Sequence, residues 1–321
     1  MNEIMRILIA YDDSEYARAA IEDLPRAGLP PEANALVVSV ADVTLPPPSP
    51  ELIENAARRD SRRVTALVAQ VQAQATEGLK EAHAQATNGC KRVQSLFPEW
   101  RVEAATPAGT PSWEIIKQAD EWGADLIVVG SQGRSALGRL IMGSVSTKIA
   151  HEAKRSVRIG RTAHAVHDES QTVPTRIVIG VDDTPGAQAV VAAVVRRMWM
   201  PGSQARVITV SNQVAASWGI GLVPEAKGLV AETYQEEKKL KERALEEAAA
   251  ALRRAGLKVA AEMRTGDAQR VLLDEATRTG ADCIFVGSRN LSGALERFTL
   301  GSVSSGIATN AACSVEIVKA R

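Results

Sequence analysis

The feature that most constrains the fold is an internal repeat. Residues 6–13 read RILIAYDD, and residues 176–183 read RIVIGVDD. Further along, the triplet GAD at 123–125 recurs at 280–282, so the second copy has a shorter middle. Repetition of this kind indicates two related structural units in one chain. We therefore predict a domain at 1–160, a linker at 161–174 and a second domain at 175–321.

Each copy alternates short apolar runs with longer amphipathic segments. The first copy predicts strands near 5–11, 35–42, 101–106, 125–130 and 156–160, with helices near 14–27, 51–96, 112–122 and 144–154. The second predicts strands near 175–181, 205–211, 257–263, 282–287 and 314–319, with helices near 185–198, 227–255, 267–278 and 302–311. Continuous apolar strands separated by helices are typical of an α/β fold, a parallel sheet with helices on both faces.

Composition narrows the classes of partner. Lys plus Arg and Asp plus Glu number 38 each, and a balanced charge argues against a general nucleic-acid or membrane-surface binder. No apolar run reaches the length of a membrane span, and the N-terminus leads straight into a strand, so we expect no signal peptide. Three cysteines without metal-like spacing are typical of free thiols in a reducing cytoplasm.

A glycine turn between a predicted strand and a predicted helix is the candidate anion site. Gly130-Ser131-Gln132-Gly133 follows the strand near 125–130, and after nine residues Gly143-Ser144-Val145-Ser146 opens a helix. Glycine lets backbone amides approach an anion closely, and the first amides of a helix are unpaired donors. The second copy keeps Gly287 and Gly301-Ser302-Val303-Ser304, but Asn290 replaces the second glycine and the spacing is ten residues.

An aspartate at the end of the first strand is expected to face this turn. In a five-stranded parallel unit of order 3-2-1-4-5, the winding direction reverses between strands one and four, where ligands bind. Asp12 ends strand one and Gly130 ends strand four, so a carboxylate and an amide cradle would share one cleft. The carboxylate suits ribose or adenine, while the amides of Gly133, Ser144 and Val145 and the hydroxyls of Ser144 and Ser146 suit phosphates.

The strand ending in Asp12, the turn Gly-x2-Gly-x9-Gly-Ser and the sequence GSVS together resemble the universal stress protein family, over nearly the whole chain as a tandem pair. The resemblance implies two tandem five-stranded parallel open sheets of order 3-2-1-4-5, of the adenine nucleotide alpha-hydrolase-like type. It also implies a cytoplasmic stress-response protein that binds ATP, with or without Mg2+. The nucleotide-contacting residues it implies are Asp12, Val40, Gly130, Gly133, Gly143, Ser144, Val145 and Ser146, and in the second copy Asp182, Val210, Gly287, Gly301, Ser302, Val303 and Ser304.

Structural roles alone are an alternative for these residues. Asp12 could simply cap the first helix together with Asp13 and Ser14, and the glycine turn could serve tight packing of strand on helix. Ser144 and Ser302 are good N-cap residues with or without a ligand. The sequence assigns no catalytic residue. It assigns no metal ligand either, because the His164–Asp168 run lies in the predicted linker without other ligands nearby. Dinucleotide-binding and Walker A signatures are missing from the sequence.

Three functions stay open at this point. The first is ATP binding by a stress-response regulator, and the second is slow ATP hydrolysis or self-phosphorylation at Ser144 or Ser146, although no general base is evident. The third is an interaction scaffold that has lost its nucleotide. The resemblance also implies an assembly, because dimers of that family commonly join through their last strands. The last strands here, with Arg158 and Glu316 at equivalent places, are therefore expected to face each other antiparallel in an intramolecular pseudo-dimer, and a homodimer of two chains is a further alternative.

Overall fold

The computed structural model describes residues 4–42, 61–133, 142–161, 173–211, 226–290 and 298–320. The side chains of 61–68, 226–234, 289–290 and 298–299 are outside this description. Most of the predicted linker, including His164–Asp168, lies outside the described residues.

The first half forms the predicted succession of strands and helices. Its strands are β1 (Arg6–Ala10), β2 (Asn34–Val38), β3 (Arg101–Ala105), β4 (Leu126–Gly130) and β5 (Ser156–Gly160). Its helices are α1 (Glu15–Glu22), α2 (Ser61–Leu96), α3 (Pro111–Trp122) and α4 (Ser144–Glu152). The helix predicted near 14–27 ends early, because Pro25 lacks a backbone N–H and the chain turns into a short 3-10 segment at Leu24–Ala27.

The second half repeats the pattern with one addition. Its main strands are β6 (Arg176–Gly180), β7 (Gln204–Ser211), β8 (Lys258–Thr265), β9 (Cys283–Gly287) and β12 (Ser314–Val318). Its helices are α5 (Pro185–Val195), α6 (Ala226–Arg254), α7 (Ala268–Thr279) and α8 (Ser302–Asn310). An antiparallel pair, β10 (Arg289–Asn290) and β11 (Phe298–Thr299), was not predicted from the sequence.

All ten main strands belong to one sheet, of order β3-β2-β1-β4-β5-β12-β9-β6-β7-β8. Within each half the strands are parallel in the order 3-2-1-4-5, which confirms the topology implied by the resemblance. The two expected sheets are continuous, because β5 pairs antiparallel with β12 and places Arg158 opposite Glu316. The predicted antiparallel contact of the last strands is thus confirmed.

Apolar layers cover both faces of this sheet. On one face a single cluster continues across the seam, with Leu8 and Val157 of the first half joined to Ile284 and Val315 of the second. The opposite face carries a separate cluster in each half. This shared layer therefore covers one side of the seam between β5 and β12.

A buried ion cluster fills the other side of the seam. Arg158 is fully buried, and its guanidinium contacts Asp23 at 2.7 Å and Glu316 at 3.2 Å. Arg197 completes the cluster by pairing with the second oxygen of Glu316 and donating to the carbonyl of Ala27. Burial alone would lower the pKa of Arg158, but the charges of Asp23 and Glu316 hold that pKa above its ordinary value. Each buried charge therefore depends on a partner from elsewhere in the chain.

Replacing Glu316 should test this dependence. We expect Glu316→Gln to lower the free energy of unfolding by about 3–5 kcal/mol, because two buried guanidinium groups lose their shared counter-charge. The control is Glu247→Gln, which breaks an exposed pair with Arg243 and should leave the free energy of unfolding nearly unchanged, because water screens the two charges. Urea unfolding followed by circular dichroism measures both. Equal effects of the two substitutions would show that the cluster does not stabilise the seam.

Candidate functional site

The ends of β1 and β4 lie side by side, as the topology requires. Ile9 on β1 is in register with Val128 on β4, so the chain leaves both strands at the same edge of the sheet. A Cβ placed on Gly133 would lie 3.3 Å from Oδ2 of Asp12. The carboxylate and the glycine turn, more than a hundred positions apart in the sequence, therefore border one cleft.

The cleft is a cavity of about 730 Å3. This volume lies within the usual range for small-molecule sites, about 300–1,000 Å3. The lining includes every residue predicted for the first half, namely Asp12, Val40, Gly130, Gly133, Gly143, Ser144, Val145 and Ser146. The sequence pattern thus converges on a single concave surface.

Asp12 holds the turn that follows β1, whereas Ser14 caps α1. Oδ1 of Asp12 accepts from the backbone N–H of Ser14 at 3.1 Å, and Oγ of Ser14 accepts from the backbone N–H of Ala17 at 3.1 Å. Asp13 between them adopts a positive φ of 60°. The capping role considered for Asp12 therefore belongs to Ser14, and Oδ2 of Asp12 lies on the side of Gly133.

The pKa shifts at this turn belong to Asp13 and Tyr11. Burial would raise the pKa of Asp13, but hydrogen bonds from Tyr11 and Asn88 and the charge of Arg18 outweigh it and lower that pKa. Burial, and then the hydrogen bond to Asp13, raises the pKa of the Tyr11 phenol. Asp13 is thereby kept as a carboxylate that anchors the turn.

Val40 presents its backbone to the cleft because of strand alternation. The N–H groups of Ser39 and Ala41 donate to Ala105 and Pro107, on the β3 side. Successive peptide groups of a strand point in opposite directions, so the N–H and C=O of Val40 point to the β1 side. The last bond between β1 and β2 lies earlier, from Tyr11 N–H to Val38 O, and leaves this edge of Val40 at the cavity.

The N-terminus of α4 forms the opposite lip. Gly143 is the N-cap, with φ −65° and ψ 155°, and its N–H donates to the carbonyl of Ser131 at 2.8 Å. No side chain of the described residues caps this helix, and the first amides, from Ser144 onward, have no partner within the helix itself. The N-cap role considered for Ser144 is therefore wrong, and so is that for Ser302, since Gly301 caps α8.

Two of the predicted residues also hold the fold together. The hydroxyl of Ser146 donates to the carbonyl of Gly130 at 2.6 Å, so its proton ties α4 to β4. A Cβ on Gly130 would come within 2.7 Å of the Tyr16 backbone, which shows that β4 and α1 pack too closely for a side chain there. The packing interpretation is correct for Gly130, although Gly130 also lines the cavity.

The second half reproduces this frame with a different entrance. Asp182 accepts from the N–H of Thr184 at 3.1 Å, and Ser304 donates to the carbonyl of Gly287 at 2.6 Å, as Asp12 and Ser146 do in the first half. Val210 lies near the end of β7, and Val303 follows Ser302 in the first turn of α8. Asn290, however, pairs with Phe298 in the β10–β11 ladder. In the second half, a paired strand therefore occupies the position that corresponds to the second glycine of the first-half turn.

Sequence reasoning missed the contribution of α2. Glu81 and Gln85 on this helix line the cavity, and Oε1 of Gln85 accepts from the Ser39 hydroxyl at 2.7 Å. Asp42 also lines it, so three carboxylates, from Asp12, Asp42 and Glu81, surround the space. The sequence of α2 does not show which of its faces packs against β2. For this reason Glu81 and Gln85 could not be predicted to line the cavity.

Comparisons with known proteins match both halves of the chain. The sequence model of the universal stress protein family matches residues 3–160 and 174–319. A universal stress protein of Methanocaldococcus jannaschii is 37% identical over 65 residues, covering 20% of this chain and 38% of that protein. One from Mycolicibacterium smegmatis is 28% identical over 204 residues, covering 62% of this chain and 63% of that protein. The chain thus matches less than two thirds of the length of either relative.

A solved structure shows the same fold over the full length. The crystal structure of a universal stress protein from Archaeoglobus fulgidus superimposes with a TM-score of 0.61 and 19% identity, covering 98% of each chain. None of the helices in the described ranges is both long and apolar enough to cross a membrane.

Two glycines of the cavity wall should respond in opposite ways to alanine. Gly130→Ala should lower the free energy of unfolding by about 1–3 kcal/mol, because the new Cβ overlaps the Tyr16 backbone. Gly78→Ala on α2 adds a methyl group with nothing within 4 Å, and should raise stability by about 0.5–1 kcal/mol through helix propensity. Thermal unfolding compares the pair. If Gly130→Ala is as stable as Gly78→Ala, the close packing of β4 on α1 is not the reason for this glycine.

Proposed function

The chain belongs to the universal stress protein family, and on that premise we propose that its first half binds ATP in the cleft between β1 and β4. The observation that carries the proposal is the shared cavity of Asp12 and the N-terminus of α4. One lip accepts hydrogen bonds, and the other donates them and carries the positive end of a helix dipole. A nucleoside with phosphates needs both.

The proposed position of ATP follows from the hydrogen-bond acceptors on one lip of the cleft and the donors on the other. Adenine lies against the backbone edge of Val40, the ribose hydroxyls donate to Asp12, and the phosphates accept from the amides of Gly133, Ser144 and Val145. Because Asp12, Asp42 and Glu81 place three carboxylates in the wall, we propose that the nucleotide enters as its Mg2+ complex, which lowers the charge of the triphosphate. Hydrogen bonds with a charged partner contribute about 1.5–3 kcal/mol each, so a few of them support micromolar affinity.

An open cavity favours nucleotide binding over a scaffold without a ligand. The Ser146 hydroxyl already donates to Gly130, and this contact disfavours self-phosphorylation at Ser146. We propose the second half, around Asp182, Val210, Gly287 and Gly301–Ser304, as a weaker site, because the β10–β11 pair reshapes its entrance. We further propose a cytoplasmic stress-response regulator, an intramolecular pseudo-dimer of domains 1–160 and 175–321, whose nucleotide occupancy alters its stability or its choice of partners.

Isothermal titration with Mg2+ and ATP tests the proposal. We expect one tight site per chain in the wild type. Asp12→Asn should weaken it at least about tenfold, because the amide keeps the turn but loses the charge that strengthens bonds from ribose. Gly133→Val should abolish binding, because the added side chain enters the cavity beside Asp12.

The matched control is Asp182→Asn, the same change at the equivalent place of the second half. It should leave the tight site unchanged. If ATP at millimolar concentration gives neither heat nor a thermal shift with the wild type, the first-half site is not a nucleotide site. If Asp182→Asn removes the tight binding and Asp12→Asn does not, the assignment to the first half is wrong.

A further inference from the structure

A second cavity, of about 550 Å3, lies at the amino ends of β6, β7 and β8. Arg176, Gln204 and Lys258 are the first residues of these three strands and line it. Asp182 follows the carboxyl end of β6. This cavity therefore lies at the opposite end of the strands from the weaker nucleotide site proposed around Asp182. We propose that it binds a small oligophosphate anion, recognised through its pyrophosphate group.

The charge of the lining supports an anion. Four cations face the cavity, from Arg176, Arg206, Lys258 and Arg278. Within the described part of the chain the lining includes no Asp or Glu. Lys258 is exposed, and among the described residues no ion pair is recorded for it. A cavity of one charge sign concentrates its field on a ligand of the opposite sign.

Carboxylates behind the cavity orient the guanidinium groups without neutralising the site. Glu275 is fully buried, and its Oε1 lies 2.7 Å from both Arg206 and Arg278, while its Oε2 lies 3.0 Å from Arg264. Glu262 pairs with Arg206 and Arg264 from the solvent side. Three arginines therefore share two carboxylates, and Arg176 and Lys258 add to the positive excess.

The fixed arginines suit phosphate in geometry as well as charge. Arg278 turns Nε and Nη2 towards Glu275, and its side chain is still 58% exposed, so Nη1 is available at the rim. A guanidinium held by a buried carboxylate loses little entropy when it binds an oxyanion, and its planar fork matches phosphate oxygens. The carbonyl of Thr279, which would repel an anion, accepts from Nη1 of Arg176 at 3.0 Å.

The first half lacks this arrangement at equivalent positions. Strand register places Leu36 where the second half has Arg206. Helices α3 and α7 each end one residue before a glycine, Gly123 and Gly280 respectively. When these two glycines are aligned, Glu121 takes the position of Arg278, and Gln118 takes that of Glu275. The basic cavity is therefore a feature of the second sequence copy and does not follow from the fold.

The cavity is also separate from the proposed ATP cleft. Because β5 and β12 are antiparallel, both open on the same edge of the sheet. Three strands, β5, β12 and β9, lie between β4 at the cleft and β6 at the basic cavity, and the four spacings from β4 to β6 correspond to about 19 Å at the usual spacing of strands. One nucleotide cannot reach both.

Calorimetric titration with inorganic pyrophosphate at constant ionic strength tests the proposal. Lys258→Glu should weaken binding at least about tenfold, because it replaces one cation of the lining with a carboxylate. The matched control is Arg270→Glu, the same change in charge on α7 but at its other end, where the side chain is 84% exposed. It should change affinity less than about twofold. Lys258→Glu breaks no ion pair among the described residues. Arg278→Glu is a second variant, and it introduces the residue type that the first half has at this position, Glu121.

Three results would overturn the proposal. They are no binding of pyrophosphate by the folded wild type, equal weakening by Lys258→Glu and Arg270→Glu, and loss of pyrophosphate binding in Asp12→Asn, which would place the anion in the ATP cleft. A parallel titration with ADP separates the sources of the group, because binding that needs Lys258 but not Asp12 belongs to the basic cavity. Failure of the ATP proposal leaves these outcomes unchanged, since none of them requires nucleotide in the first half.

Discussion

The antiparallel contact of β5 with β12 is the constraint on which the rest of the structure depends. It joins ten strands into one sheet and removes two edges that would otherwise expose unpaired backbone groups. Arg158 and Glu316 stand opposite each other at its centre, where like charges would be costly. Two copies of β5 would bring arginine against arginine, so the charges favour pairing of unlike strands. The repeat diverged in sequence at the place where its copies meet.

Both candidate ligand sites follow from how parallel strands end. Between β1 and β4 the chain departs in opposite directions, which opens a cleft that no helix fills, and Asp12 and the glycine turn border it. At the amino ends of β6 to β8 the sheet offers only a rim, and side chains decide its chemistry. There the arginines around Glu275 turn that rim into a positively charged hollow.

The sequence was sufficient for the frame of the molecule and of the first site. Apolar runs separated by helical segments predict the strands, because these runs are a property of the local sequence. The contact of β5 with β12 was expected from the resemblance to the family, because local sequence does not show which distant strands pair. The role of Gln85 could not be predicted, since the face that α2 turns to the sheet depends on packing between distant segments. The β10–β11 pair was missed for a related reason, because a two-residue ladder has no periodicity to recognise. Gly130 shows this limit most clearly. The sequence predicted a glycine here for ligand binding, but the strictest reason for it is that the Tyr16 backbone lies too close for a side chain.

The reversal of strand direction at the seam places the carboxyl ends of one half beside the amino ends of the other on each rim of the sheet. The carboxyl ends of β1 and β4 emerge on one rim, and those of β6 and β9 emerge on the other. A protein that docks against either rim therefore meets the carboxyl-end cleft of only one repeat, together with the amino ends of the other repeat's strands. Duplication followed by antiparallel joining of the copies thus puts the carboxyl-end clefts of the two halves on opposite rims. The residues of one cleft could change without altering the other cleft.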